Sequence, residues 1–349
     1  MSDRAHVAWQ LRDQAASCAA MDSPLYAGLL ERAAEDAEAG GAVWGVLEAH
    51  VAPGRGSAVA LRLMAAFHRL VLTGEAPALA RHYPSVGGDG EGTAAWEAFH
   101  ALAAGKQDDL RTLVSLPCQT NEVGRSAALI FGFLELAAAT RLPLRLLEVG
   151  ASAGLNLRWD LLRFGGGGAA WGDPQSPVDL TGHWSEAPAH PDARVTVAER
   201  RGCDLRPLDP AALETRLALR ASVWADQVAR LSRLDGALAV AARVPAPVDG
   251  ASAASWTRER LREPRSGMAT VVYHSVVEEY LPEDERRRFH DALQEAGGRT
   301  TRDAPLAWLR VEPTSSLRRH GVRLTTWPGG GERLLATSGA HGTDVRMAR

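Results

Sequence analysis

Hydrophobic positions recur at helical spacing through the first part of the chain. Apolar residues three and four positions apart are typical of amphipathic helices. Ser23 followed by Pro24 is a helix-start signal, with serine as the N-cap and proline at the first helical position. The stretches 53–56 and 84–92, rich in glycine and proline, interrupt the pattern. The predicted helices cover residues 6–20, 25–39, 43–51, 58–72 and 94–103. We therefore predict an all-helical N-terminal region over residues 1–119.

From residue 144 the pattern changes to short apolar runs separated by helical segments. This alternation is typical of a mostly parallel sheet with crossover helices. The sequence Pro-Gly-Gly-Gly at 328–331 separates the last two runs and predicts a hairpin. The predicted strands are 144–149, 194–198, 244–248, 269–274, 307–311, 322–327 and 333–337. We predict an α/β domain over residues 120–349, with a seven-stranded sheet that ends in an antiparallel hairpin.

A long insertion separates the first two predicted strands. It contains four consecutive glycines at 165–168 and a stretch rich in Pro, Asp and His at 173–192. A long loop inside a compact domain is usually functional or disordered. We interpret residues 158–193 as a cap over the site, with Trp159 as a candidate for contacts to an apolar substrate. A place in the core is the alternative for Trp159.

Composition and charge narrow the chemistry. A net charge of -3, with 46% hydrophobic and 23% charged residues, is ordinary for a water-soluble globular protein and provides no basic field for nucleic acid. We expect a small-molecule substrate, with no nucleic acid and no membrane as partner.

The N-terminus lacks a signal-peptide pattern, which favours the cytoplasm. The three cysteines are too far apart along the sequence to form a metal site, so we expect no bound metal. Homo- or hetero-oligomerisation stays open.

Lys106 is the only lysine of the chain. A Walker-A phosphate site and a pyridoxal-phosphate Schiff base each need a lysine, and Lys106 is not near the glycine-rich turn described next. The sequence therefore disfavours ATPase and pyridoxal-phosphate chemistry.

The first predicted strand ends in an acid and a small-residue turn. Glu148 closes the apolar run, and Gly150, Ser152 and Gly154 follow. Such a turn permits a tight reversal and a close approach of the backbone to a ligand. A carboxylate repels pyrophosphate but attracts ammonium or sulfonium and accepts hydrogen bonds from a ribose. S-adenosylmethionine has all of these groups, although a turn that binds nothing is the alternative.

Polar residues also follow the fourth predicted strand. His274 is the best candidate for proton transfer, because imidazole titrates near neutral pH. Ser275 follows it, and Glu278 lies where it could orient the imidazole. A buried, hydrogen-bonded histidine and a solvated glutamate are the alternatives.

A polar segment precedes the apolar helix predicted at 126–139. Thr120 is a candidate N-cap, with Glu122 in the first turn. Asn121 and Arg125 have no such structural reason. If this helix start faces the glycine turn, Arg125 could bind a carboxylate of the ligand or substrate in a bidentate manner.

Two resemblances follow from these motifs. The acid-x-Gly-x-(Gly/Ser)-x-Gly pattern after a strand resembles the first motif of S-adenosylmethionine-dependent methyltransferases, and the C-terminal hairpin resembles the end of their Rossmann-like sheet. The whole set of motifs resembles a bacterial family known as domain of unknown function 2332. That set comprises Thr120-Asn121-Glu122-x-Gly124-Arg125, Glu148-x-Gly150-Ala151-Ser152-Ala153-Gly154-Leu155-Asn156, Gly202-Cys203-Asp204-Leu205-x-Pro207-Leu208-Asp209-Pro210, Val223-Trp224-x-Asp226-Gln227 and His274-Ser275.

The methyltransferase resemblance implies roles for the strand ends. Glu148 and the glycine turn, with Asn156 at its close, would hold the methionine part of the cofactor. Glu199 or Asp204 would bind the ribose, and both stay open, because the insertion displaces them from the usual spacing. Asp249 would lie near the adenine amino group. His274 and Ser275 would lie beside the methyl donor.

The leading hypothesis is S-adenosylmethionine-dependent methyl transfer to an O- or N-nucleophile of a small molecule. One alternative is the same fold used for elimination or intramolecular cyclisation without methyl transfer. A second alternative is a non-catalytic partner subunit.

Overall fold

The computed structural model describes residues 2–51, 58–314 and 319–348, which fall into two compact units. Unit 1 comprises Met1–Thr120 and Ala212–Ser232, and unit 2 comprises Asn121–Ala211 and Arg233–Arg349. The sequence prediction assigns residues 212–232 to the α/β domain, whereas their contacts group them with the N-terminal helices. The chain therefore leaves the α/β unit once and returns to it.

The described residues of the first part of unit 1 form seven α-helices. All five predicted helices are confirmed, and two short ones, α5 and α7, were missed. The predicted break at 53–56 lies outside the described residues. The helices are α1 (Asp3–Ala20), α2 (Pro24–Ala39), α3 (Ala42–Leu47), α4 (Val59–Leu72), α5 (Pro77–Ala80), α6 (Gly92–Gly105) and α7 (Gln107–Val114). Their apolar faces form one core, in which the rings of Phe67 and Phe99 stack 3.6 Å apart.

The start of α2 is capped from a distant part of the chain. Ser23 occupies the N-cap position as predicted, but its side chain does not cap the helix. Ser23 Oγ instead donates to Asp226 Oδ1 (2.6 Å), and the Leu25 main-chain N–H donates to Asp226 Oδ2 (3.0 Å). Gln227 Nε2 donates to the Met21 carbonyl (2.6 Å). Asp226 and Gln227 of the Val-Trp-x-Asp-Gln motif therefore have a structural role in unit 1.

Unit 2 contains an eight-stranded, mostly parallel sheet. The strand bounds are β1 (Leu144–Val149), β2 (Arg163–Gly166), β3 (Ala169–Gly172), β4 (Asp179–Trp184), β5 (Val197–Asp204), β6 (Val248–Gly250), β7 (Ala269–Ser275), β8 (Leu306–Pro313), β9 (His320–Trp327), β10 (Glu332–Ser338) and β11 (Arg346–Met347). The main sheet has the order β11-β10-β9-β8-β7-β1-β5-β6. Within this order, the neighbouring strands β6, β5, β1, β7 and β8 are parallel to one another. β9 is antiparallel to β8, and β9 and β10 form the predicted antiparallel hairpin.

Three features of the sheet differ from the prediction. β11 pairs with β10 and adds an eighth strand. The second predicted strand, 194–198, begins before β5 does and stops well short of the end of β5 at Asp204. The third, 244–248, overlaps β6 only at Val248, since the prolines at 245 and 247 have no N–H to donate.

Helices cover both faces of the main sheet. The helices after α7 are α8 (Ser126–Thr140), α9 (Leu213–Ala221, in unit 1), α10 (Val228–Arg243), α11 (Ala253–Arg260) and α12 (Glu283–Gly297). On one face, Leu147, Cys203 and Val272 share a core with α11 and α12. On the other, Phe133 of α8 packs edge-on against Tyr273 of β7.

Among the residues that the structure describes, one helix is long and apolar enough to cross a membrane by length and composition alone. It is the segment Val123–Thr140, of which 72% is buried inside the protein. A buried core helix passes the same test, and α8 packs against the sheet.

The predicted cap contains a small sheet of its own. β2, β3 and β4 form it in the order β3-β2-β4. Trp184 Nε1 of β4 donates to the Ala127 carbonyl of α8 (2.9 Å), and Phe164 of β2 stacks on Trp184. The insertion is therefore tied to the start of α8.

Candidate functional site

The candidate site lies at the carboxyl edge of the main sheet. The parallel strands stand in the order third, second, first, fourth and fifth along the chain, so the strand order reverses between β1 and β7. In open parallel sheets, ligands bind at the carboxyl ends of the strands beside such a reversal. The glycine turn leaves β1 at this point.

Three residues of the turn adopt left-handed backbone conformations. The φ angles are 68° at Gly150, 52° at Ser152 and 67° at Gly154. Glycine adopts this region freely, whereas serine rarely does. The Ser152 hydroxyl is buried, and no group in the described residues pairs with it. The turn therefore reverses sharply, as predicted, with some strain at Ser152.

Glu148 lies beneath the turn and is almost fully buried. Its side chain faces Tyr273, whose hydroxyl donates to Oε2 at 3.5 Å. Burial raises the pKa of Glu148 well above its ordinary value, and the nearby Arg158 guanidinium opposes this effect. A cationic ligand group at this position would favour the ionised carboxylate.

Asp204, rather than Glu199, stands at the end of the second parallel strand. Asp204 Oδ2 accepts the Ser152 main-chain N–H (2.9 Å), and Oδ1 accepts that of Arg206 (2.9 Å). Glu199 is the third residue of β5 and binds Arg145, the second residue of β1 (3.0 Å). The proposal of Glu199 for the ribose was therefore wrong, because its carboxylate lies near the amino ends of these strands.

Asp249 is at the end of β6 as predicted, but its carboxylate is already engaged. It accepts hydrogen bonds from Arg201 (2.6 and 2.7 Å), Arg260 (3.1 Å) and Trp256 Nε1 (2.7 Å). The Arg201 hydrogen bonds lower the pKa of Asp249 to about 2. This corrects the expected contact to an adenine amino group, because both carboxylate oxygens have cationic partners.

The two asparagines hold the turn in place. Asn121 Oδ1 accepts the Leu155 N–H (2.9 Å). Asn156 Oδ1 accepts the Ser126 hydroxyl (2.7 Å), and its Nδ2 donates to the Glu122 carbonyl (3.3 Å). Asn156 is buried, so its expected contact to a cofactor is replaced by a role in support of the turn. Asn121 is half-buried and stays a candidate for substrate contact.

The start of α8 differs from the prediction. Glu122, rather than Thr120, is the N-cap of the short 3-10 turn Val123–Arg125 that leads into α8, and its Oε1 accepts the Gly124 N–H (3.0 Å). Thr120 is exposed and lies two residues too early.

His274 has no nitrogen left for proton transfer. Its Nε2 lies 3.0 Å from Trp308 Nε1, and an indole N–H only donates, so Nε2 must accept. Nδ1 therefore carries the proton and donates to Glu312 Oε1 (2.7 Å). Since His274 is also only 1% exposed, the prediction that it acts as a catalytic base is wrong for this arrangement.

Glu312 takes the role expected for Glu278. Glu312 orients His274, whereas Glu278 Oε1 is 4.0 Å from His274 Nε2 and accepts from His290 Nε2 (3.1 Å). The His290 hydrogen bond lowers the pKa of Glu278. Sequence reasoning gave Glu312 no role, because its contact with His274 depends on the pairing of β7 with β8.

Arg125 and Ser275 come together as half-buried neighbours. Arg125 Nη1 donates to the Ser275 carbonyl (3.3 Å), and Nε donates to the Ala340 carbonyl (3.2 Å). The start of α8 therefore faces the ends of the strands, which was the condition for a role of Arg125 in binding. Ser275 is at the end of β7, and its expected catalytic role beside the methyl donor stays a prediction.

Trp159 belongs to the core rather than to a substrate pocket. Its ring is fully buried and stacks on Phe133 at 4.3 Å, with Trp171 beside it at 5.3 Å. The proposed contact between Trp159 and an apolar substrate is therefore wrong in this structure.

The segment after β7 covers the glycine turn. Val276 has a φ of 56°, which is strained for a β-branched residue. A Cβ atom built on Gly150 would lie 2.5 Å from Val277 Cγ2. Val277 therefore occupies the space that a ligand would approach from this side.

In the described part of the chain, no group of three or more His, Cys, Asp or Glu residues could hold a metal ion. The fold and the site define an α/β protein with a polar, partly buried carboxyl edge. The chain belongs to the bacterial family described as uncharacterized protein conserved in bacteria (DUF2332), whose model matches residues 8–346. This confirms the family predicted from the motifs. No curated protein and no solved structure matches the chain.

Proposed function

We propose that the carboxyl edge binds S-adenosylmethionine and that the protein transfers its methyl group to a small molecule. One observation carries the proposal. Glu148 and Asp204 lie near the carboxyl ends of two adjacent parallel strands, and the glycine turn that follows β1 is beside the reversal of strand order. Two carboxylates beside a turn of small residues suit a ligand with a cationic methionine part and a ribose diol.

The roles of the binding residues follow from their contacts. Glu148 would face the ammonium or sulfonium group, because it is the buried carboxyl beneath the turn. Asp204 would accept hydrogen bonds from the ribose hydroxyls, since each of its oxygens has a single main-chain donor in the contacts described above. Gly150 and Gly154 would permit close approach of the backbone.

The chain's own contribution to the reaction is positioning and exclusion of water. When bound, S-adenosylmethionine would supply the methyl group from its sulfonium, and the electron pair of the broken C–S bond would stay on sulfur. Alignment of an acceptor with that methyl group provides most of the acceleration expected for such a transfer. His274 would act as a positioning residue through Glu312 rather than as a base.

One observation favours the alternative of a fold used for another small-molecule reaction. Val277 lies over Gly150, where a cofactor would contact the turn. If the protein had lost its cofactor site, a side chain such as Val277 would fill the space of the cofactor. In that case, the protein would carry out an elimination or cyclisation without an adenosine ligand.

Isothermal titration of the full chain with S-adenosylmethionine and S-adenosylhomocysteine separates these functions. We expect micromolar binding of both, lost in Glu148→Ala and weakened by about tenfold or more in Asp204→Asn. Glu199→Gln is the matched control, because it alters an acid at the opposite end of the same strand pair. Binding that is absent in wild type, or unchanged in Glu148→Ala, would reject the cofactor assignment.

A further inference from the structure

A charged cluster beside the proposed cofactor site lies at the ends of β7, β8 and β9. Arg125 donates to the carbonyl of Ser275, which ends β7, and to that of Ala340, which follows β10. The ends of β8 and β9 lie between those of β7 and β10 in the sheet. Glu312 and His320 stand there, near the end of β8 and at the start of β9.

Two buried polar atoms of this cluster have no hydrogen-bond partner among the residues that the structure describes. Glu312 Oε1 accepts from His274 Nδ1 (2.7 Å) and from the Val277 main-chain N–H (3.0 Å). Within the described residues, no group donates to the buried Oε2, and none pairs with Nδ1 of His320, which is 6% exposed. A buried polar group without a hydrogen-bond partner destabilises the folded state, and more so if the group is charged. A ligand that donates to Glu312 Oε2 and accepts from His320 Nδ1 would supply both missing hydrogen bonds.

The charges around His320 have opposite signs. Burial and then Arg125 lower the pKa of His320 to about 4, while Glu312 acts in the opposite direction. The imidazole is therefore neutral at neutral pH, with a cation and a carboxylate near it.

We propose that this cluster binds a small zwitterion of the amino-acid type, which carries an amino group and a carboxylate. The amino group donates to Glu312 Oε2, and the carboxylate accepts from His320 Nδ1 and faces the positive charge of the Arg125 guanidinium. His274 and Trp308 are positioning residues, because they hold Glu312 by its other oxygen and fix the imidazole between them.

The assignment of this zwitterion as methyl acceptor rests on the proposed function, whereas its binding does not. The bound ammonium gives one proton to Glu312 Oε2, and the freed nitrogen lone pair forms the new N–C bond. The C–S bond breaks with its electron pair on sulfur, and the proton leaves Glu312 for solvent. Charge and atoms balance with S-adenosylmethionine as the only co-reactant.

Titration of the full chain with glycine tests the site, because glycine is the simplest zwitterion with an amino group and a carboxylate. Binding is followed by calorimetry and by the ring C–H signals of His320 in carbon–proton NMR spectra. We expect saturable binding of glycine and at least about tenfold weaker binding of methylammonium, acetate and trimethylglycine, since each lacks one charge or the N–H groups. Acetate that binds as well as glycine, or a wild-type protein that binds no glycine, overturns the proposal.

Variants of Glu312 and Arg125 test whether each of these two charged residues binds glycine. Glu312→Gln and Arg125→Gln should each weaken glycine binding by about tenfold or more, and Arg125→Lys should restore part of it. Glu199→Gln should leave it unchanged. Circular dichroism and S-adenosylhomocysteine binding show whether each variant folds. Glycine binding without S-adenosylhomocysteine binding would reject methyl transfer but keep this site, whereas the reverse would reject this site alone.

Discussion

Glu148 couples the proposed cofactor site to the pH dependence of folding. Burial raises its pKa in the folded protein above the ordinary value of 4.5. The folded state therefore binds this proton more tightly than the unfolded chain, so stability falls as pH rises from 4.5 through the folded-state pKa. A site without a buried ionisable group would not show this fall in stability.

We predict that Glu148→Gln is more stable than wild type above neutral pH, because glutamine never ionises in the buried site. Urea denaturation at a series of pH values measures the difference, which should vanish at acid pH where Glu148 is protonated in both states. The matched Glu199→Gln variant should not gain stability, since it removes the carboxylate partner of the buried Arg145. A Glu148→Gln protein with the wild-type pH profile would contradict the burial argument.

Gly150 is required for two separate reasons. Its φ of 68° strains any other residue, and a Cβ atom would lie 2.5 Å from Val277 Cγ2. Gly168 has a similar φ of 83° with no atom within 4 Å of the Cβ position. It therefore provides a control that has the strain without the contact.

We predict that Gly150→Ala costs about 1–3 kcal/mol of stability from backbone strain, with a further loss from the clash. Gly168→Ala should show the strain alone. In a Val277→Ala background, the cost of Gly150→Ala should fall to that of Gly168→Ala, which a double-mutant cycle in urea measures. Equal costs for both glycines in the wild-type background would show that Val277 does not press on the turn.

At the scale of single elements, the start of α2 depends on a carboxylate two hundred residues away in the chain. Asp226 accepts from the Ser23 hydroxyl and from the Leu25 N–H. We predict that Asp226→Ala destabilises unit 1 by about 1–2 kcal/mol, as expected for loss of an N-cap. Asp108→Ala is the control, since Asp108 is 95% exposed and its loss should cost less than about 0.5 kcal/mol. Equal denaturation midpoints for the two variants would contradict this role.

β5 shows why the hydrophobic pattern located some strands and not others. β1 and β7 are apolar runs, and their predicted bounds agree with the structure to within one residue. β5 instead contains Glu199, Arg200 and Arg201, which pair with Arg145, Asp160 and Asp249. Ion pairs between elements satisfy these side chains, and such partners cannot be read from the local sequence.

The same limit applies to the candidate site. The glycine turn and Glu148 were predictable because they lie within one local motif. The contact of Glu312 with His274 joins residues 38 positions apart through the pairing of β7 with β8. Local spacing suggested Glu278 as the partner, and only the sheet register identifies Glu312.

At the scale of the whole molecule, the two units have separate hydrophobic cores. The proposed cofactor site belongs to unit 2 alone. A ligand at about 100 times its dissociation constant stabilises the state that binds it by about 2.7 kcal/mol. If each unit opens by itself, this free energy should protect unit 2 only.

We therefore predict that S-adenosylhomocysteine slows hydrogen exchange of the β1, β5 and β7 amides by up to about 100-fold, and leaves the α2 and α4 amides unchanged. Exchange followed by mass spectrometry, with ligand and without, measures both sets in one experiment. The Asp204→Asn variant is the control, since weakened binding should remove most of the protection. Equal protection of the α2 and α4 amides would show that the two units open together, because ligand bound in unit 2 would then stabilise both cores.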